Sequence, residues 1–155
     1  MSYAYACWML YTSIMKKIIV HTDGGSRGNP GPAGSGAVMF DEHGTVLGET
    51  RLYLGHATNN VAEYEAVRIG LLMIRDHFGK EECKNIDIFV RMDSELVCKQ
   101  LNGQYRVKHP SLIPLFMALR ALYTSTFPHI TFEHVRREQN KHADKLANEA
   151  MDAGH

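Results

Sequence analysis

Four acids of this 155-residue chain stand where one kind of element gives way to another. Asp23 and Asp93 each close a β-branched apolar run, and Glu63 and Asp144 each fall near the start of a helical pattern. Carboxylates so far apart in sequence acquire joint chemistry only if the fold gathers them. Two of them about 4 Å apart repel by roughly 4 kcal/mol at an effective dielectric near 20, so a cluster needs a positive partner. No Lys or Arg stands at the matching strand ends. All-oxygen coordination by carboxylates and water suits Mg²⁺, or Mn²⁺, better than zinc. Two such ions about 3.5–4 Å apart can activate a water and stabilise the leaving oxygen of a phosphodiester, so metal-assisted hydrolysis is the chemistry to set against the fold.

The elements that carry these acids follow from pattern. Ile18–Thr22 predicts a buried strand running into the turn residues Asp23-Gly24-Gly25, and Gly28-Asn29-Pro30-Gly31-Pro32 predicts a loop. Gly36–Phe40 and Thr45–Leu52 flank Asp41-Glu42-His43-Gly44 and predict an antiparallel hairpin. Thr58 or Asn59 can cap a long helix in which Val67, Leu71, Ile74 and Phe78 recur at helical spacing until Gly79. Ile86–Met92 predicts a fourth strand ending at Asp93, after which Ser94 can cap a short helix reaching about Gly103. Ser111 can cap another helix, striped by Leu112, Leu115, Leu119 and Leu122. Ile130–Val135 predicts a fifth strand, and Lys141 to about Met151 a last helix with Ala143, Ala147, Ala150 and Met151 on one side. The order is β-β-β-α-β-α-α-β-α, with no internal repeat.

This order makes the acids converge. Strand three returns parallel to strand one, and right-handed crossovers through helices make strands four and five parallel to it too. Asp23 and Asp93 then share the sheet edge at which ligands bind in open α/β sheets. The helix after strand three begins at that edge, with Glu63 in its first turn on the stripe of Val67. The last helix also begins there, with Asp144 in its first turn above Ala147 and Met151. Any one acid in a first helical turn reads equally as a dipole partner, so the argument lies in the set.

Composition limits the alternatives. With 45% hydrophobic and 22% charged residues the chain has the make-up of one globular domain, expected over residues 15–155. Its 17 basic residues balance 17 acidic ones, so nucleic-acid binding has to come from a local site rather than a broadly basic surface. Cys7, Cys83 and Cys98 form no paired-cysteine motif, which fits a reducing compartment and makes the cytoplasm the expected location. Residues 1–14 hold the only Trp and no Lys or Arg; they are expected to form a loosely ordered extension, neither signal peptide nor membrane anchor.

Beyond this, the residues resemble type 1 ribonuclease H. Thr22-Asp23-Gly24-Gly25-Ser26 with Gly28-Asn29-Pro30-Gly31-Pro32, then Thr58-Asn59-Asn60 with Ala62-Glu63, then Asp93-Ser94, then Asn140 with Ala143-Asp144 and Leu146-Ala147, are similar to that family's motifs in the same order, from about Lys16 to Met151. The resemblance implies an α/β fold with a mixed five-stranded sheet, order 3-2-1-4-5, strand two antiparallel and helices on both faces. It implies endonucleolytic hydrolysis of the RNA strand of RNA/DNA hybrids by a monomer, using two Mg²⁺ ions. Asp23, Glu63, Asp93 and Asp144 are then the metal ligands, with Asp23 bridging both ions. Asn29, Asn59 and Asn60 hydrogen-bond the hybrid's minor groove, Thr58 helps to hold a DNA-strand phosphate, and Gly24 and Ser94 lie against the substrate. The 2′-OH, donor and acceptor at once, is what such amides can read.

The chain departs from that pattern in three places. Many members carry a basic, Trp-rich protrusion where Lys99–His109 is short and modestly basic; Lys99, Arg106 and Lys108 are the candidate phosphate contacts there, and a shallow salt dependence is expected. The loop Arg136–Asn140 has no His where many relatives have one, leaving Glu138 as a carboxylate near a metal or Arg137 as a contact to the scissile phosphate. His142 is expected to point elsewhere. Glu95 stands where relatives often have Gln, which counts against a base contact. Short forms of this kind resemble archaeal and some bacterial members, in which double-stranded RNA is a second candidate substrate. A non-catalytic hybrid- or RNA-binding module and a metal-dependent DNA nuclease on the same architecture are the competing readings.

Overall fold

The computed structural model describes residues 15–155; the expectation for residues 1–14 lies outside them. The sheet has the order β3-β2-β1-β4-β5, formed by β1 (Lys16–Ser26), β2 (Gly31–Asp41), β3 (Val46–Ala57), β4 (Ile86–Met92) and β5 (Ile130–His134). β2 is antiparallel to β1 and β3, while β4 is parallel to both β1 and β5. The helices are α1 (Asn59–Phe78), α2 (Lys80–Cys83), α3 (Glu95–Leu101), α4 (Ile113–Thr126) and α5 (Lys141–Ala153). The predicted topology is therefore present. Among the described residues no helix is long and apolar enough to cross a membrane.

The sheet is covered on both faces. α1 lays Val67, Leu71 and Ile74 over Ile18, Val20, Ile88 and Val90 in the main core, with Tyr64 buried among them and donating its hydroxyl to Gln100 Oε1 at 2.7 Å. α5 covers the opposite face of β1–β3, where Ala143 and Leu146 pack with Val38. Burial alternates along β4, the pattern of a strand whose two faces differ in exposure.

Two glycines set how closely the helices approach. A Cβ on Gly24 would lie 2.2 Å from the backbone of Ala62 and 2.5 Å from Glu63 N, so α1 rests directly on β1 there. Ser35, paired with Gly24 across β1 and β2, strengthens the contact by donating its hydroxyl to Ala62 O at 2.7 Å. On the other face a Cβ on Gly36 would lie 2.6 Å from Ala143 O and 2.7 Å from Ala147 N, and Gly36 is the register partner of Asp23.

Several local expectations are corrected. Gly31 and Pro32 belong to β2 rather than to the loop, and Pro32 pairs with His56. Thr58, not Asn59, caps α1, accepting from Val61 N at 3.2 Å. Ser94 caps α3 as expected, but α3 stops at Leu101. Ser111 does not cap α4; its hydroxyl bonds His109 Nδ1 at 2.7 Å, and the helix starts at Ile113 with a proline in its first turn. A lone polar residue before a leucine stripe cannot show that a neighbouring imidazole competes for it. The segment from Asn102 to Leu112 is a connection, not a protruding helix.

Gly36→Ala should lower stability by about 1–3 kcal/mol in urea unfolding, because the added methyl meets backbone that cannot turn aside. An unchanged midpoint would show that α5 approaches β2 less closely than described.

Candidate active site

β1 and β4 run parallel as far as the pair Thr22 and Met92; beyond it β1 continues against β2 alone. Asp23 and Asp93 are the next residues on each strand, so both sit where the strands part. His134 Nε2, at the end of β5, lies 3.2 Å from Asp93 O and ties the ends of β4 and β5 together. Glu63 is the fifth residue of α1, just past the first turn in which it is predicted, and the Gly24 contact presses it against β1. Asp144 does lie in the first turn of α5, next to the Ala143 contact on Gly36.

The acids therefore meet from both faces and the edge of the sheet. Carboxylate oxygens of Asp23, Glu63 and Asp93 all lie within 4.8 Å of one another. Asp144 lines the same cavity, of about 670 Å³, beside this group of three, and its charge adds to the shift of Asp23. Asn148, one turn further along α5, donates to Asp144 O at 2.9 Å and to its Oδ1 at 3.3 Å.

Burial and crowding oppose ionisation here. Burial first, then Asp93 and Asp144, pushes the Asp23 carboxyl up to about 8. Burial, then Asp23 and Asp93, raises Glu63 well above the usual carboxylate range, against the opposing pull of the Gly24 amide and Arg137. Glu63 Oε2 is buried and has no hydrogen-bond partner. An orphaned carboxylate oxygen facing two others is the donor set of a hard divalent cation, whose charge would offset both penalties.

The amides around the cavity are interlocked. Asn29 Oδ1 accepts from Asn59 N at 3.1 Å, and Asn59 Oδ1 accepts from Ser26 N at 2.8 Å and Ser26 Oγ at 3.0 Å. Each side-chain oxygen is thus committed to the fold, which orients each NH₂ outward as a donor. Asn59, Asn60, Gly24 and Ser94 line the cavity, Asn29 lies outside its lining and is joined to it through Asn59, and Thr58 stands behind them as the cap of α1. Arg137 lines it too, from the 3-10 turn Arg137–Gln139; Glu138 in the same turn is exposed and does not. His142 is turned to Glu49 at 2.7 Å, away from the acids. Lys99 is tied to Glu95 at 2.7 Å and lies over the Tyr105 ring, so Glu95 spends its charge on a lysine.

Two further residues gain a place from the structure alone. Asn140 is fully buried just before α5 and donates through Nδ2 to Thr22 O at 2.9 Å, joining the helix that bears Asp144 to the residue before Asp23. In the sequence it appears only as part of a motif. Arg27 lines the cavity from the loop between β1 and β2, and nothing in its spacing marks it out.

Fold and site together define a reverse-transcriptase-like domain, and the family model of that description matches residues 21–150. The chain is 46% identical to LC11-RNase H1, solved in complex with an RNA/DNA hybrid, over 88% of this chain and 97% of that one, with a TM-score of 0.84. It is 41% identical to ribonuclease HI of Halobacterium salinarum over 88% of this chain and 65% of that protein. It is 48% identical to a bifunctional protein of Mycobacterium tuberculosis over 88% of this chain, but spans only 36% of that protein's length. The chain belongs to the type 1 ribonuclease H family.

The raised carboxyls give the metal-free protein a pH signature. The folded state holds the Asp23 proton up to about 8, whereas the unfolded chain releases it near 3.8. This contribution to stability is complete below the lower value and is lost as pH rises through the higher one. In EDTA the melting temperature should fall between pH 5 and 8, and Asp23→Asn should flatten that fall; parallel pH profiles for the two proteins would contradict the assignment.

Proposed function

We propose that this chain is a divalent-metal-dependent endonuclease that hydrolyses the RNA strand of RNA/DNA hybrids, leaving 3′-OH and 5′-phosphate ends. The observation that carries this reading is the partnerless, buried Glu63 oxygen facing Asp23 and Asp93 in a ribonuclease H fold. Asp23, Glu63, Asp93 and Asp144 are the residues that would hold the divalent ions, two Mg²⁺ or Mn²⁺. Such ions supply an activated water and charge stabilisation at the leaving oxygen.

The protein's own groups bind and orient. The outward NH₂ groups of Asn29 and Asn59, with Asn60, donate to the minor groove, where a ribose 2′-oxygen is the acceptor that DNA lacks. Gly24 and Ser94 bring backbone and hydroxyl against the RNA strand. Thr58 lies at the start of α1, where the unpaired amides of a helix N-terminus favour a phosphate of the DNA strand. Arg137 balances part of the acidic charge and reaches toward the scissile phosphate, and Glu138 stands beside it as an outer carboxylate. A module that merely bound nucleic acid would gain nothing from four carboxylates beside phosphates. The family's activity at this level of similarity also favours hybrid cleavage over the DNA-nuclease reading.

The test is a panel of RNA/DNA, RNA/RNA, DNA/DNA and single-stranded substrates with Mg²⁺, Mn²⁺ or EDTA. Hybrid cleavage that requires metal and falls about 100-fold or more in Asp23→Asn and Asp93→Asn is expected. Equal turnover on duplex DNA, or substantial activity in either variant, would refute the proposal. Mg²⁺ or Mn²⁺ alone should stabilise the wild type by about 2.7 kcal/mol at 100 times its dissociation constant, and Asp23→Asn much less.

A further inference from the structure

We infer that Arg27 is a substrate-binding residue that grips a phosphate of the nucleic-acid backbone at the end of the cavity opposite Arg137. The inference rests on the function proposed above and adds a contact that the acids and amides do not supply. Among the described charged residues lining the cavity, Arg27 and Arg137 are the two cations, against Asp23, Glu63, Asp93 and Asp144. They stand at opposite ends of α5. Arg137 precedes its first turn, whereas Arg27 reaches its last turns through Asn148 and Asp152. The 13 residues of α5 span about 20 Å, so a polyanion laid along the cavity passes one arginine before the acids and the other after them.

The structure holds Arg27 ready for such a contact. Its backbone N–H donates to Pro32 O at 2.8 Å, and Gly31 packs so closely on Arg27 O that a Cβ there would lie 2.0 Å away. Its Nη2 donates to Asp152 Oδ1 at 2.5 Å and reaches Asn148 O at 3.5 Å, which directs the guanidinium along the wall of the cavity. Nε and Nη1 remain as donors, and guanidinium geometry suits a phosphate. The side chains of Arg27 and Asp152 are 49% and 67% exposed, and an ion pair so exposed contributes little to stability, so a phosphate can replace Asp152 at small cost. Asn59, whose amide faces the groove, is linked to Ser26, the residue before Arg27, so the phosphate contact and the groove-reading donor belong to one rigid unit. In a chain with no net charge and with Lys99 already engaged, such local cations are what remains to hold the backbone.

KM and kcat on a labelled RNA/DNA hybrid in Mg²⁺, measured between 50 and 200 mM salt, test this with three variants. Arg27→Ala should raise KM about threefold to tenfold with kcat within about twofold, equally for hybrids of different sequence, and should reduce the salt slope by about 0.7–0.9. Arg27→Lys, keeping the charge, should keep the slope. Asp152→Asn removes the same ion pair but leaves the cation, so it should keep the wild-type slope. A wild-type KM and slope in Arg27→Ala overturns the inference, as does an Asp152→Asn variant that copies Arg27→Ala, since the effect would then belong to the ion pair. A wild type that leaves the hybrid uncut overturns the proposed function itself, and this contact with it.

Discussion

Like-charged carboxylates are forced together in this protein by backbone contacts that a side chain would forbid. Gly24 lets α1 lie on β1, and Gly36, the register partner of Asp23, lets α5 lie on β2. One glycine thereby delivers Glu63 from one face of the sheet, and the other delivers Asp144 from the opposite face. Asp23 and Asp93 arrive along the strands themselves, at the point where β1 and β4 stop pairing. A methyl group at either glycine would push a helix away, and the distances among the acids depend on that separation.

The apolar core supplies the stability that holds such a cluster. Val67, Leu71 and Ile74 anchor α1 below Glu63, while Ala143, Ala147 and Ala150 keep α5 small enough to approach the glycines. Against that rigid frame the carboxylates cannot move apart, so burial first, and their repulsion after it, raises the pKa of Asp23 and Glu63. A divalent ion relieves the same strain by another route. On the proposed function, the groups that would hold metal and those that would contact substrate are separate: the acids lie within the sheet edge, and Asn29 and Asn59 lie on the loop and the helix start beside it.

On the proposed function, substrate affinity would have a similarly local origin. The chain carries no excess of positive charge, and the connection after α3 lacks the bulk and basicity of a dedicated binding element. Lys99 is engaged with Glu95 and Tyr105. What remains near the acids is a pair of arginines at the two ends of α5, each held by its own turn. Such an arrangement favours positional selectivity over long-range attraction.

The five strands, the helices of more than one turn and the four acids were legible in the sequence because each rests on local periodicity, turn chemistry or strand-end position, and handedness then leaves few topologies. The short α2, the failed Ser111 cap and the place of Glu63 just past the first turn were not legible, since a cap or a helix start is settled by which neighbour wins a hydrogen bond. The placement of Asn140 and Arg27 belongs wholly to the tertiary structure: Thr22 lies 118 residues from Asn140, and Asp152 lies 125 residues from Arg27. No local pattern encodes a contact of that separation. The sequence by itself determined which groups could do chemistry and which sheet edge would gather them; only packing decided how near they come, because nearness here is set by backbone resting on glycine.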